Sequence, residues 1–137
     1  MKNYKLIITL FIALFWIGSC AKNDSLDPDF MLGEAFDLKV NQTTVNQNED
    51  VKFRIKEILE DSRCPDEVMC VWEGQVRMDV EIEIDNSTFT KELIYYSTNP
   101  LECGGYNFRV LSVLPGTQLD ETIALEDYVF SMLIEKI

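Results

Sequence analysis

Val76-Arg77-Met78-Asp79-Val80-Glu81-Ile82-Glu83-Ile84-Asp85 alternates apolar and charged side chains without a break. A helix would scatter these apolar groups around its circumference, whereas an extended chain puts them all on one face. The stretch reads as a strand whose dry face is Val76, Met78, Val80, Ile82 and Ile84. The same period recurs on either side. Phe36, Leu38 and Val40 alternate with Asp37 and Lys39, and Val51, Phe53 and Ile55 alternate with Lys52, Arg54 and Lys56. Residues 89–96, 106–114 and 128–136 are further runs rich in aromatic and β-branched side chains, and 43–45 is a weaker one. No amphipathic helix is evident beyond the N-terminal segment. Six or seven short strands in one chain predict an all-β fold, an antiparallel β-sandwich of Ig-like or Greek-key type.

Side-chain parity predicts more. If Asn86-Ser87 is a two-residue turn, Ile84 faces Phe89, Val80 faces Leu93 and Met78 faces Tyr95, with Lys91 the one misfit. In the earlier strand the apolar positions run 51, 53, 55 and then jump to Ile58, which predicts a β-bulge near Glu57. Lys52, Arg54 and Lys56 make a basic stripe; Asp79, Glu81, Glu83 and Asp85 make an acidic one. Opposed stripes predict that these two strands are antiparallel neighbours. The acidic row is a solvated strand face, since a calcium site needs oxygens that converge from a folded loop, so no metal site is expected.

Between these strands lies Asp61-Ser62-Arg63-Cys64-Pro65-Asp66-Glu67-Val68-Met69-Cys70-Val71-Trp72-Glu73-Gly74. The pattern Arg-Cys-Pro, four residues, Cys, one residue, Trp, one residue, Gly resembles a largely uncharacterised family of small exported bacterial proteins and lipoproteins. The likeness runs from about Val45 to the last strand and takes in residues 106–115 and Asp127-Tyr128. It implies an exported β-sandwich and carries no activity with it. Outside the cytoplasm Cys64 and Cys70 are expected to be bonded, a ring of about seven residues contributing roughly 2 kcal/mol. Their spacing and the motif that contains both point the same way. Cys103 is left over: it is expected to be inert and unpaired, with pairing to Cys64 or Cys70 as the alternative. Trp72 is expected to pack on the bridge and the core, and Gly74 to admit the chain to the next strand. Arg63, Pro65 and Trp72 are the candidate binding residues of the loop.

The N-terminus places the protein. Lys2 and Lys5 precede an apolar run over residues 6–16, then Gly18-Ser19-Cys20, then polar residues. The apolar stretch falls short of the roughly 20 residues that span a bilayer. Small residues before a cysteine resemble a bacterial lipobox, so 1–19 reads as a signal peptide and Cys20 as the lipidation site. Residues 20–33 read as a flexible tether and 34–137 as the domain. Lys22-Asn23-Asp24 is similar to signals that sort lipoproteins outward, which suggests the outer membrane of the cell envelope.

Composition narrows the chemistry. The chain has 12 basic and 24 acidic side chains and no histidine. Residues 1–19 hold Lys2, Lys5 and no acid, so the chain from Cys20 carries 10 bases against 24 acids, a balance of −14. Such a surface repels phosphate backbones, so nucleic acid is not a partner. Without histidine there is no Ser-His-Asp or Cys-His machinery and no His-ligated metal. No cofactor is expected. The expected partners are the membrane, through acyl chains, and an envelope protein, met by loops 61–73 and 97–105. The function expected is a non-enzymatic binding or structural accessory. The alternative is an inhibitor of an envelope or secreted hydrolase that uses the disulfide loop. An enzyme built on paired carboxylates is the weakest reading.

Overall fold

The computed structural model describes residues 28–137. The signal segment and Cys20 lie outside the described residues. Eight strands run in the order β1 (Ala35–Lys39), β2 (Thr43–Asn46), β3 (Val51–Asp61), β4 (Val76–Ile84), β5 (Ser87–Tyr95), β6 (Leu101–Cys103), β7 (Tyr106–Leu114) and β8 (Val129–Lys136). They form two four-stranded antiparallel sheets, β2-β3-β4-β5 and β1-β8-β7-β6. The fold is thus an all-β sandwich. The first sheet is a plain meander; in the second, the first strand closes beside the last, a Greek-key relation. The strand beyond the expected six or seven is β6, whose three residues are too few to show a period.

The dry faces predicted by alternation meet in the core. Val76, Met78, Val80 and Ile82 of β4 are fully buried, as are Val51, Phe53 and Ile55 of β3. Phe53 stacks on Phe108 of β7 with ring centroids 5.4 Å apart, joining the two sheets. Each such side chain contributes about 1.5–3 kcal/mol on burial.

β3 and β4 are antiparallel neighbours, with Lys52 opposite Glu83 and Arg54 opposite Glu81. Lys52 Nζ reaches Glu83 Oε1 at 2.7 Å. The register shifts between Ile55 and Glu57, where the bulge was expected, and again between Ile58 and Glu60. The first shift takes Lys56 out of the row of facing charges.

Two expectations are corrected. The β4–β5 turn is Asp85-Asn86, not Asn86-Ser87. Both turn residues have positive φ, 48° and 62°, a conformation that Asp and Asn tolerate and that fits the twist of a tight hairpin. Ile84 therefore faces Ser87, Ile82 faces Phe89, Val80 faces Lys91 and Met78 faces Leu93. The parity is as expected and the register is offset by two. The second correction concerns the tether. Phe30 is only 3% exposed and stacks on Phe36 at 5.0 Å. Asp29 bridges Val45, and Asn46 Nδ2 donates to the Phe30 carbonyl. The packed domain thus starts before residue 34, because Phe30 covers the open edge between β1 and β2.

The connections divide between two ends. Residues 47–50, 85–86 and 104–105 gather at one end: Asp85 N–H bonds Asp50, Tyr106 OH bonds Glu49, and the Ile137 N–H bonds Gly105. Residues 62–75, 115–128 and the start of 96–100 lie at the other.

Candidate functional site

The loop between β3 and β4 is held at its neck by two backbone bonds beyond the strands. Ser62 N–H donates to Gln75 at 2.8 Å and Cys64 N–H to Glu73 at 2.9 Å. Gly74, at φ +75°, passes so close to the Ser62 carbonyl that a Cβ would collide with it. Only glycine fits both the angle and the space. Above the neck, Cys64 and Cys70 are bonded, with Cα atoms 5.9 Å apart.

Arg63 turns inward rather than out. Its Nε and Nη2 donate to the two Asp61 carboxylate oxygens at 2.9 and 2.7 Å. Its Nη1 donates to the carbonyls of Val113 and Pro115 at 2.8 and 2.9 Å. Tyr128 OH donates to Asp61 Oδ2 at 2.8 Å. The Arg63 and Asp61 side chains are only 7% and 11% exposed. Burial raises the Asp61 pKa, but the bonds from Arg63 and Tyr128 outweigh it and leave the carboxyl below its ordinary range. Burial first, then the bond to Asp61, pushes the Tyr128 phenol up to about 12. This forked ion pair ties the loop to the end of β7 and the start of β8.

The loop is also fastened along one side. Asp66 N–H donates to Thr117 at 2.9 Å, Thr117 Oγ1 donates to the Cys64 carbonyl at 3.1 Å, and Leu119 N–H donates to Glu67 Oε2 at 3.1 Å. The opposite side faces solvent. Met69 and Val71 are fully exposed, Val68 is partly so, and Trp72 is 64% exposed. The loop thus carries an apolar tip on a base that is fastened to the sandwich. Beside it lies a cleft of about 230 Å³ lined by Arg63, Glu73, Tyr95, Tyr96 and Thr117 among others. The two tyrosine rings are 4.0 Å apart. Tyr96 takes φ +71°, unusual for a bulky side chain. Burial first, then contact with Tyr96, pushes the Tyr95 phenol up to about 12, so it stays protonated.

Of the predicted loop residues, Trp72 is at the tip, Pro65 is half-buried at the base and Arg63 is a structural pin. Trp72 does not pack on the core as expected, since most of its surface is exposed. Cys103 is unpaired and buried. It sits opposite Tyr106 at the other end of the sandwich. Burial raises its thiol pKa, with nearby Lys91 opposing. Residues 97–105 are therefore not one loop beside the disulfide loop, as expected: they contain β6, and Gly104 lies against Ile84 at the far end. The residues not anticipated are Tyr95, Tyr96 and the 113–119 segment. Their role depends on which strand ends share a pole, which periodicity does not reveal. Among the described residues no group of three His, Cys, Asp or Glu side chains is placed to hold a metal. Comparison with protein-family models, curated proteins and solved structures finds no match to the chain.

Proposed function

We propose that the protein is a non-enzymatic, lipid-anchored binding accessory of the bacterial cell envelope, held at the outer membrane through Cys20. The observation that carries the binding role is the apolar tip Met69-Cys70-Val71-Trp72, exposed on a loop fixed by a disulfide and an ion pair. A surface ordered before contact loses little entropy on binding, so its apolar area converts efficiently into affinity. The likeness of residues 63–74 to the motif of exported lipoproteins and the Gly18-Ser19-Cys20 sequence support the anchor. The role needs no cofactor and no nucleic acid.

The same preordered loop favours a second reading, in which it enters the cleft of an envelope or secreted hydrolase as an inhibitor. The test uses crosslinking and pull-down of the lipidated full chain from its own envelope, beside a Val71→Asp, Trp72→Asp double variant. A partner retained by the parent and lost by the variant at equal melting temperature is expected. Equal recovery by both would overturn the role of the tip. A hydrolase partner whose activity falls on binding would select the inhibitor. Cys20→Ser is expected to free the protein from membranes; retention of that variant would overturn the anchor.

A further inference from the structure

The cleft beside the disulfide loop takes its walls from three segments: the base of the loop, the end of β5 and residues 113–117. Two of these are fixed to each other, since Asp66 N–H donates to the Thr117 carbonyl and Thr117 Oγ1 to the Cys64 carbonyl. The β5 wall is aromatic. Successive side chains of a strand point to opposite faces, so Tyr95 and Tyr96 would ordinarily part. The positive φ of Tyr96 breaks that alternation and brings the two rings to 4.0 Å. About half of Tyr96 is exposed, so part of the aromatic surface stays uncovered.

The side chains around the cleft leave it rich in acceptors and poor in donors. Arg63 is the one cation among the described residues that line it, and it is already engaged: Nε and Nη2 bond Asp61, and Nη1 bonds two carbonyls. The Asp66 and Glu73 carboxylates accept no hydrogen bond and join no ion pair among the described residues. Asp66 lies against Gly116, where a Cβ would collide with its Oδ2. Burial and contact with Tyr96 raise the Tyr95 pKa most, and the Glu73 charge adds to them, which places that carboxylate near the aromatic wall. An anion entering here would meet two carboxylates and no uncommitted cation. A sugar needs donors as well as acceptors, and those of Arg63 and Thr117 are committed. A guanidinium or ammonium consists only of donors, carries the complementary charge, and is attracted to a tyrosine face within about 6 Å of its centroid.

Size favours a side chain over a free ligand. The volume of about 230 Å³ falls below the roughly 300–1,000 Å³ of small-molecule sites. The apolar tip runs directly into Glu73, so a surface seated on the tip carries its own side chains to the opening. Resting on the binding role proposed above, we infer that the cleft is a subsite for an arginine or lysine side chain of the protein that the tip meets.

The full chain, purified in a neutral detergent, is titrated with N-acetyl-arginine amide and with its uncharged isostere, N-acetyl-citrulline amide, and followed by amide NMR. With arginine, shift changes confined to the surroundings of Glu73, Tyr96 and Thr117 are expected. Citrulline should bind several-fold more weakly. Glu73→Gln should weaken arginine binding several-fold at unchanged melting temperature, and so should Tyr96→Asn, which suits the left-handed turn and removes the ring. No localised shifts, equal binding of citrulline, or tighter binding of N-acetylglucosamine at the same residues would overturn the inference. The source of the cation is tested by capture from the native envelope. Glu73→Gln is expected to lower recovery of the partner several-fold with the tip intact. Recovery indifferent to Glu73→Gln but lost in the Val71→Asp, Trp72→Asp variant would overturn the subsite and leave the role of the tip standing. Arginine binding by a chain that captures no partner would overturn the side-chain source and leave a site for a free cation.

Discussion

Arg63 and Trp72 are nine positions apart in one short motif and do opposite jobs. Arg63 is spent on the fold: its guanidinium closes on Asp61 and on two carbonyls of another strand end. Removing one partner of a buried pair leaves the other charge uncompensated, so Asp61→Asn is expected to cost about 3 kcal/mol. Its pH signature follows from the lowered pKa. The folded chain holds the Asp61 proton less tightly than the unfolded chain, so the stabilisation is complete above the ordinary Asp value of about 3.9. It disappears as pH falls through the folded value below that. Urea unfolding across this acid range should show the parent losing stability that Asp61→Asn never had; parallel curves would show that the pair contributes nothing. Cys103 makes a second prediction at this scale. Buried and with its thiol pKa raised, it should resist iodoacetamide in the native protein near neutral pH and react on unfolding. Rapid native alkylation would contradict this.

At the level of strands, Lys91 is the misfit of an otherwise regular pattern, and its position in the sheet explains it. β5 is a nine-residue edge strand, and Lys91 faces Val80 on the side where Phe89 and Leu93 also lie. An inward-pointing charge on an edge discourages a second sheet from adding to it. Lys91→Val should therefore gain up to about 1 kcal/mol in strand preference and begin to self-associate. Sedimentation at rising concentration checks this, and an unchanged monomer would refute it. The elements were legible because each strand with one wet face writes its period into the chain. Even the slip at Ile58 and the opposed charges of β3 and β4 could be read. What could not be read is set by local geometry or by distance in sequence. The two-residue offset of β5 follows from the positive φ of Asp85 and Asn86. The burial of Phe30 depends on an edge that exists only once β1 and β2 are in place. The site was half legible for the same reason: the motif marks the loop, but the Arg63 pin needs β7 and β8 to complete it.

For the molecule as a whole, the pairing of β1 with β8 governs completeness. Leu38 faces Phe130 across that pair, though the two are more than ninety positions apart in sequence. Without β8 the second sheet loses the strand that joins β1 to β7, and Phe130, Met132 and Ile134 leave the core. A chain ending after Asp127 is expected to show no cooperative melting and to be digested rapidly by protease; a cooperative transition in that fragment would show that the closure is dispensable. The same pairing has a consequence in time. A chain made from its N-terminus has no partner for β1 until β8 has been added, because contacts this far apart in sequence form late. The second sheet thus stays open until β8 has been made, and its half of the core closes in one late step.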